Sequence, residues 1–272
     1  MPPTLARVTD VAHTLWPLAG AEGWDAPGLL VGDPRAEVGS IHLAVDAVLD
    51  TADEAVDLGA QLLLVHHPLL LRGVTSVAED RYKGAVVARL IRGGTALLAA
   101  HTNADIVSDG TSAVLASRLG LTDVVPIVPS SADQELGLGR VGDLPHPTTL
   151  GELARGLAEV LPATAQGIRG AGDYAAPVRR VALCAGAGDS LLSHPVVVGA
   201  DVYITSDLRH HPASEARENT RVSGGPALLD ISHWAAEWLW LDVAAAALRA
   251  ALPDVTVTVS ELRTDPWDFA LV

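Results

Sequence analysis

The stretch LLLVHHPLLLRG, Leu62 to Gly73, sets two adjacent histidines and a proline between two apolar runs. An uninterrupted apolar run of this length, closed by polar residues, reads as a strand buried on both faces. Two similar runs flank it, IHLAVDAV from Ile41 and TALLAAH from Thr95. Helix-like segments alternate with them: Leu49 to Ala60 with Gly59 near its end, Tyr82 to Gly94 with Gly93 as a C-terminal stop, and Thr111 to Leu119. Strand, helix, strand, helix, strand implies βαβ crossovers and a mostly parallel sheet, an α/β fold.

The second half follows the same plan. Val178 to Gly188 (VRRVALCAGAG), Ala200 to His211 (ADVYITSDLRHH) and Pro226 to Glu237 (PALLDISHWAAE) each begin apolar and end polar. The triplet His-His-Pro occurs at His66 to Pro68 and again at His210 to Pro212. Two explanations stay open: an internal duplication with a pseudo-twofold axis, or the ordinary look of any parallel sheet. Residues 1–125 then form a first α/β half and residues 151–272 a second, joined by a Pro-, Ser- and Gly-rich connecting segment, 126–150.

Composition narrows the function. The chain has 272 residues, 49% of them apolar, enough for a well-buried core. Its formal charge of −15 repels phosphate backbones and argues against non-specific nucleic-acid binding. Cys184 is the only cysteine, so a metal would have to be held by histidines and carboxylates. The N-terminus lacks the pattern of a secretory signal, and the longest apolar stretches are too short to span a bilayer. Both features point to a cytoplasmic protein.

Ligands of open parallel sheets gather beyond the carboxyl ends of the strands. In this sequence those ends carry His66 and His67, then His101 and Asp105 (AAHTNAD), then His233 and Glu237 (SHWAAE). Each group has a plainer reading. Adjacent histidines can be one core and one surface residue. His101 and Asp105 can be a loop histidine and a capping aspartate. His233 and Glu237, spaced i, i+4, can be an exposed helical pair. Trp234 and Trp238 read as core, and His13, His42, His146 and His194 as ordinary surface or turn residues. The convergence of imidazoles and carboxylates from three segments favours borderline divalent ions (Zn, Fe, Mn, Co or Ni), two of which can share a carboxylate and activate water. The turn CAGAG, Cys184 to Gly188, is either a plain tight turn or a backbone cradle for phosphate.

In order along the chain, WDAPGLLVGDP (Trp24 to Pro34), VHHPLLLRG, YKGAVVARLI, AAHTNAD, GLGRVGDL (Gly137 to Leu144), VALCAGAGDSLL, ADVYITSDLRHH and DISHWAAE resemble the NIF3-like dinuclear metal centre proteins, often labelled GTP cyclohydrolase 1 type 2 homologs. The resemblance implies two similar α/β domains related by a pseudo-twofold axis, a di-metal site in the interdomain cleft, and a homohexamer built as a trimer of dimers. It implies two divalent transition-metal ions per chain, held by His66, His67, Asp105, His233 and Glu237, with Glu237 as the bridge. His101 falls beside that set, as a further ligand or a catalytic proton carrier. The short connection corresponds to the form of the family without an inserted domain. Ser232 stands where many relatives have glycine, and SDLRHH has serine where glycine is frequent.

The function this implies is metal-dependent hydrolysis of a nucleotide-like substrate, as in a GTP cyclohydrolase. Arg72 is then a candidate for pairing with substrate phosphate, and Asp207 and His211 are candidates for the rim of the site. Two rivals use the same residues: a non-catalytic, metal-stabilised regulatory or scaffold hexamer, and a metal-dependent phosphoesterase.

Overall fold

The computed structural model describes residues 1–271, and the chain folds as two compact units. One contains Met1–Ala104 and Leu241–Thr264; the other contains Asp105–Trp240 and the residues from Asp265 on. In chain order the elements are α1 (Leu5–Leu15), β1 (Gly28–Val31), β2 (Ser40–Ala44), α2 (Leu49–Asp57), β3 (Leu62–Val65), α3 (Tyr82–Gly93), β4 (Ala96–Ala99) and α4 (Thr102–Asp105). Then follow α5 (Thr111–Arg118), β5 (Thr122–Val125), β6 (Val128–Pro129), β7 (Gly137–Leu138), β8 (Arg140–Thr149), α6 (Leu150–Val160), β9 (Arg169–Ala171) and β10 (Pro177–Ala187). The last are α7 (Pro195–Val198), β11 (Val202–Ser206), α8 (His210–Ser223), β12 (Ala227–Ile231), α9 (His233–Ala251) and β13 (Thr256–Val259).

The first unit is a five-stranded sheet in the order β1-β4-β3-β2-β13. The three central apolar runs pair in parallel, as the βαβ reading requires, and β13 adds in parallel beside β2. Only β1 runs antiparallel. Leu63, Val65, Leu97 and Ala99 pack with Ala52 and Ala55 of α2 and Val86 and Leu90 of α3. Each larger side chain among these contributes about 1.5–3 kcal/mol of burial. Helix α3 stops at Gly94, whose φ of 70° is left-handed.

The second unit is a six-stranded sheet in the order β5-β8-β10-β11-β12-β9. Strands β10, β11 and β12 are parallel, β8 and β9 run antiparallel to them, and β5 runs antiparallel to β8. Residues 126–150 carry β6, β7 and β8, with β8 hydrogen-bonded between β5 and β10. Their Pro/Gly-rich composition reads as coil because the prolines sit in an irregularity. Partners Arg180↔Asp143 and Val178↔Thr148 bracket Leu144 to Pro147 against Arg179, so Pro145 and Pro147 fall where the ladder is already broken.

The two sheets share a four-strand core, β1-β4-β3-β2 in one and β9-β12-β11-β10 in the other. Small details recur with it. The Gln61 side chain accepts from the amides of Gly39 and Ser40, and the Asp201 side chain accepts from those of Arg179 and Arg180. Leu5 N–H donates to Ala36 O at the start of α1, and Leu150 N–H to Ala176 O at the start of α6. Helix α6 has a full capping box, with Thr149 and Glu152 each accepting from the other's backbone amide.

His42 departs from its reading as a surface residue. It is 1% exposed, its Nδ1 lies 2.8 Å from Thr258 Oγ1 and its Nε2 lies 3.0 Å from Glu54 Oε2. The ring thereby ties β13 to β2 and α2, a long-range role that sequence spacing does not reveal. Among the described residues, no helix is long and apolar enough to cross a membrane.

Candidate metal centre

Register positions the first cluster. Ala44, Val65 and Ala99 end their strands side by side, since Ala44 pairs with Val65 and Val65 with Ala99. Within two residues of these ends come Asp46, His66 and His67, and His101, so all four leave the same edge of the sheet. The rings of His66, His67 and His101 have centroids 5.1 to 5.5 Å apart. One nitrogen from each lies within 4.8 Å of the others, a spacing that could hold a metal ion.

The orientation of each ring is fixed at Nδ1. His66, 0% exposed, donates from Nδ1 to the Ala100 carbonyl at 2.9 Å. A carbonyl can only accept, so Nδ1 carries the proton and a neutral ring presents its lone pair at Nε2. His67 Nδ1 donates to Asp46 Oδ1 at 2.7 Å, and Thr264 Oγ1 donates to the other oxygen of Asp46 at 2.5 Å. His101 Nδ1 donates to Asp25 Oδ1 at 2.8 Å. The Asp25 side chain is fully buried and accepts further bonds from Ala26 N–H at 2.7 Å, Thr102 N–H at 3.0 Å and the Thr102 hydroxyl. Burial works against its charge, yet the His101 and Thr102 hydrogen bonds and the His101 ring outweigh it and hold the carboxyl down at about 2. Trp24 is 61% exposed and meets the His101 ring edge-on, with centroids 5.9 Å apart.

The second unit builds a different group. Strands β11 and β12 end together, Ser206 pairing with Ile231, and release Asp207 and His233. Asp207 takes a left-handed φ of 59° and accepts from His233 Nδ1 at 2.7 Å. One turn further along α9, Glu237 brings Oε1 to 3.0 Å from His233 Nε2. Two lone pairs at that separation repel, so the contact requires positive charge: a second proton on the ring or a bound cation. Burial favours the neutral ring, but the carboxylates of Glu237 and Asp207 prevail and raise the pKa of His233 well above its usual value. The Glu237 side chain is 4% exposed. Asp105 accepts from Thr111 Oγ1 at 2.5 Å. Cys184 lies near both acids; burial first, then the Asp105 and Glu237 charges, push its thiol up to about 12. It behaves as an inert, protonated side chain.

The CAGAG segment is the bulged end of β10 rather than a tight turn after it. Gly186 has a φ of 80°, and a Cβ there would lie 2.4 Å from Glu237 Oε1. Glycine makes room for the carboxylate. The carbonyls of Gly186 and Gly188 accept from Thr205 Oγ1 and Tyr203 OH.

Three of the sequence candidates stand apart from one another. Asp207 touches His233. Arg72 is exposed, and its carbonyl accepts from Lys83 Nζ at 3.2 Å. His211 is exposed on α8 and contacts the ring of His210 at 5.2 Å. Among the described residues, no hydrogen bond or ion pair joins the Arg72 or His211 side chain to the imidazoles above. Sequence reading missed Asp25 and Asp46 as ring anchors. The signal for Asp25 was its place in WDAPG; Asp46 had only its position just past a strand end.

The residues present fit divalent cations. Four imidazoles have Nδ1 committed to an oxygen, and the donor set of imidazole and carboxylate suits borderline metals. Fold and donor set therefore define an α/β protein whose imidazole and carboxylate groups could hold a metal ion. Residues 3–266 match the family described as Duf34/NIF3 (NGG1p interacting factor 3), and the chain belongs to that family. It is 51% identical over 271 residues to a Streptomyces coelicolor protein named "GTP cyclohydrolase 1 type 2 homolog", covering 97% of this chain and 94% of that one. A Mycobacterium leprae protein of the same name is 34% identical over 373 aligned positions, covering 97% of this chain and 95% of that one. That alignment is longer than this chain, so roughly a hundred positions of the relative have no counterpart here. The crystal structure of a Bacillus cereus protein related to NIF3 has the same fold, with a TM-score of 0.90, 21% identity, and coverage of 99% of this chain and 100% of that one.

Proposed function

We propose that the chain is a dinuclear metal-binding hydrolase acting on a nucleotide-like substrate. The ligands are His66 and His67 in one unit and Asp105, His233 and Glu237 in the other. The observation that carries this reading is the uniform commitment of Nδ1 to an oxygen acceptor in His66, His67, His101 and His233, which leaves Nε2 of each neutral ring as the metal-facing atom. Glu237 offers two carboxylate oxygens and can serve two ions. Bound divalent ions would supply Lewis acidity and water acidified toward neutral pH.

The rest of the chemistry belongs to the side chains. Asp46 and Asp207 orient His67 and His233. Asp25, ionised at neutral pH, stabilises the imidazolium that His101 becomes when it takes a proton at Nε2, which suits His101 to carry a proton between water and leaving group. Exposed Trp24 beside His101 offers a face on which a flat heterocycle can stack. The relatives' name supports a purine nucleotide as the first substrate to test. A hexameric assembly, implied by the family resemblance, and a cytoplasmic location, suggested by the sequence pattern, belong to the same proposal.

The test is metal content per chain by elemental analysis, on protein purified without chelator or affinity metal, for wild type and Glu237→Ala. Close to two transition-metal ions, falling sharply in the variant, supports the centre. No bound metal, and none taken up from Zn(II), Mn(II) or Fe(II), refutes it. Loaded enzyme is then incubated with GTP. Unchanged GTP beside a working cyclohydrolase control removes the cyclohydrolase activity and leaves the phosphoesterase and scaffold readings, which phosphate release from a nucleotide panel and the assembly state of Glu237→Ala tell apart.

A further inference from the structure

The GLGR motif, Gly137 to Arg140, has no part in the chemistry above, yet it carries the most deeply buried cation in the second unit. Arg140 is 3% exposed. Its Nη1 donates to the carbonyls of Gly137 at 2.5 Å and Gly139 at 2.8 Å, and its Nη2 to those of Val107 at 2.7 Å and Ile106 at 3.5 Å. No carboxylate is among these partners. A buried charge is expensive unless its hydrogen bonds are satisfied and an opposite charge lies near. Four carbonyls meet the first condition. The nearby Asp105 carboxylate meets the second, opposing the loss of proton affinity that burial imposes on the guanidinium.

The two far acceptors, Ile106 and Val107, are the residues directly after Asp105. Gly137 N–H reinforces the grip by donating to Ile106 O at 2.9 Å. Val107 O also accepts from Gly110 N–H at 3.1 Å, closing a turn, and the next residue, Thr111, donates to Asp105 itself. The near side of the fork is equally fixed. Gly137 has a φ of 150°, and a Cβ there would fall 2.1 Å from Val128 O, so only glycine lets the β6–β7 hairpin close.

We propose that Arg140 is a positioning residue for Asp105. Its planar fork spans the hairpin and the 105–111 turn and holds the Asp105 carboxylate where a divalent cation can use it. The inference rests on the reading of Asp105 as a metal ligand. Lysine cannot replace the fork, since an ammonium is a point donor and cannot reach both pairs of carbonyls in one geometry.

Wild type, Arg140→Lys, Arg140→Met and the control Arg180→Met are stripped of metal and titrated with Co(II), read by visible absorbance and calorimetry. Arg180 pairs with Asp143 on the exposed part of the same sheet and should behave as wild type. The expected result is a 10- to 100-fold weaker Co(II) affinity for both Arg140 variants, the usual loss when a group supporting a ligand is removed. Far-UV circular dichroism identifies the variants that fold. A folded Arg140 variant that binds Co(II) within about twofold of wild type overturns the proposal while leaving the metal centre intact. Wild type that binds no Co(II) refutes the centre itself, a separate failure. Should neither variant fold, hydrogen exchange on wild type decides. Co(II) loading should slow exchange of the Gly110 and Gly137 amides, which donate to the two clamped carbonyls, and unchanged exchange there overturns the proposal.

Discussion

Asp25→Asn should destabilise the metal-stripped protein at neutral pH, and the loss should shrink in acid. Four donors converge on the two Asp25 oxygens: His101 Nδ1, Ala26 N–H, and the Thr102 amide and hydroxyl. An amide side chain would turn its own NH2 against some of them. The magnitude follows from the carboxyl, held at about 2 against 3.8 for an ordinary aspartate. Each pKa unit is worth about 1.36 kcal/mol, so the charged form contributes ~2.4 kcal/mol. The folded-state value is depressed, so this contribution is complete above the unfolded-state value and is lost as pH falls through the folded one. By linkage about 1.3 kcal/mol remains at pH 3. Urea unfolding of wild type and variant at pH 7 and pH 3, followed by tryptophan fluorescence, reads the difference directly. A difference that stays constant, or grows as the pH falls, would refute the account of why Asp25 is buried beside His101.

Gly186→Ala should lower metal per chain, because a methyl 2.4 Å from Glu237 Oε1 must displace the carboxylate; elemental analysis that matches wild type counts against the Glu237 role. Asp46→Asn removes the charge that fixes His67 Nδ1 and should weaken Zn(II) binding about 10- to 100-fold by competition with a chromophoric chelator. An unchanged affinity would show that His67 needs no anchor. Cys184, with its thiol pushed up to about 12, should resist a disulfide reagent at pH 8 in the folded protein and react on unfolding; fast modification of the native state would contradict the protonated thiol.

The sequence showed the strands well because the central strands are short, mostly apolar runs with polar residues at their carboxyl ends. Leu62–Val65 and Ala96–Ala99 are such cases, buried at every position. Strand β8 was hidden because its prolines read as coil, although they occupy a break in the ladder. The repeated His-His-Pro triplet was a false lead. Recurring hydrogen bonds match Gln61 with Asp201, so counting along β3 and β11 matches His66 and His67 with Ser206 and Asp207, while His210 and His211 begin a helix. The histidines were legible because imidazole is rare at strand ends. Asp25 was not, because it reaches His101 across 76 residues by a contact that only the folded sheet creates.

The anchors bear on how many cations the protein should take. In the first unit the imidazoles lean on Asp25 and Asp46, a formal charge of −2. In the second, Asp105, Asp207 and Glu237 sum to −3, and buried Arg140 returns +1. By this count each unit is left with two negative charges around its imidazoles. The Asp25 and Glu237 side chains, 0% and 4% exposed, are poorly screened by solvent, whereas Asp207 is largely exposed, so the buried carboxylates carry most of the demand for a cation or for protons. The raised pKa of His233 is the proton form of that demand. The four negative charges match what the two divalent ions of the proposed centre would neutralise. By the same count Arg140→Met leaves the second unit at −3, so its weaker grip on Co(II) would have to come from lost positioning of Asp105, since the added negative charge alone would strengthen binding.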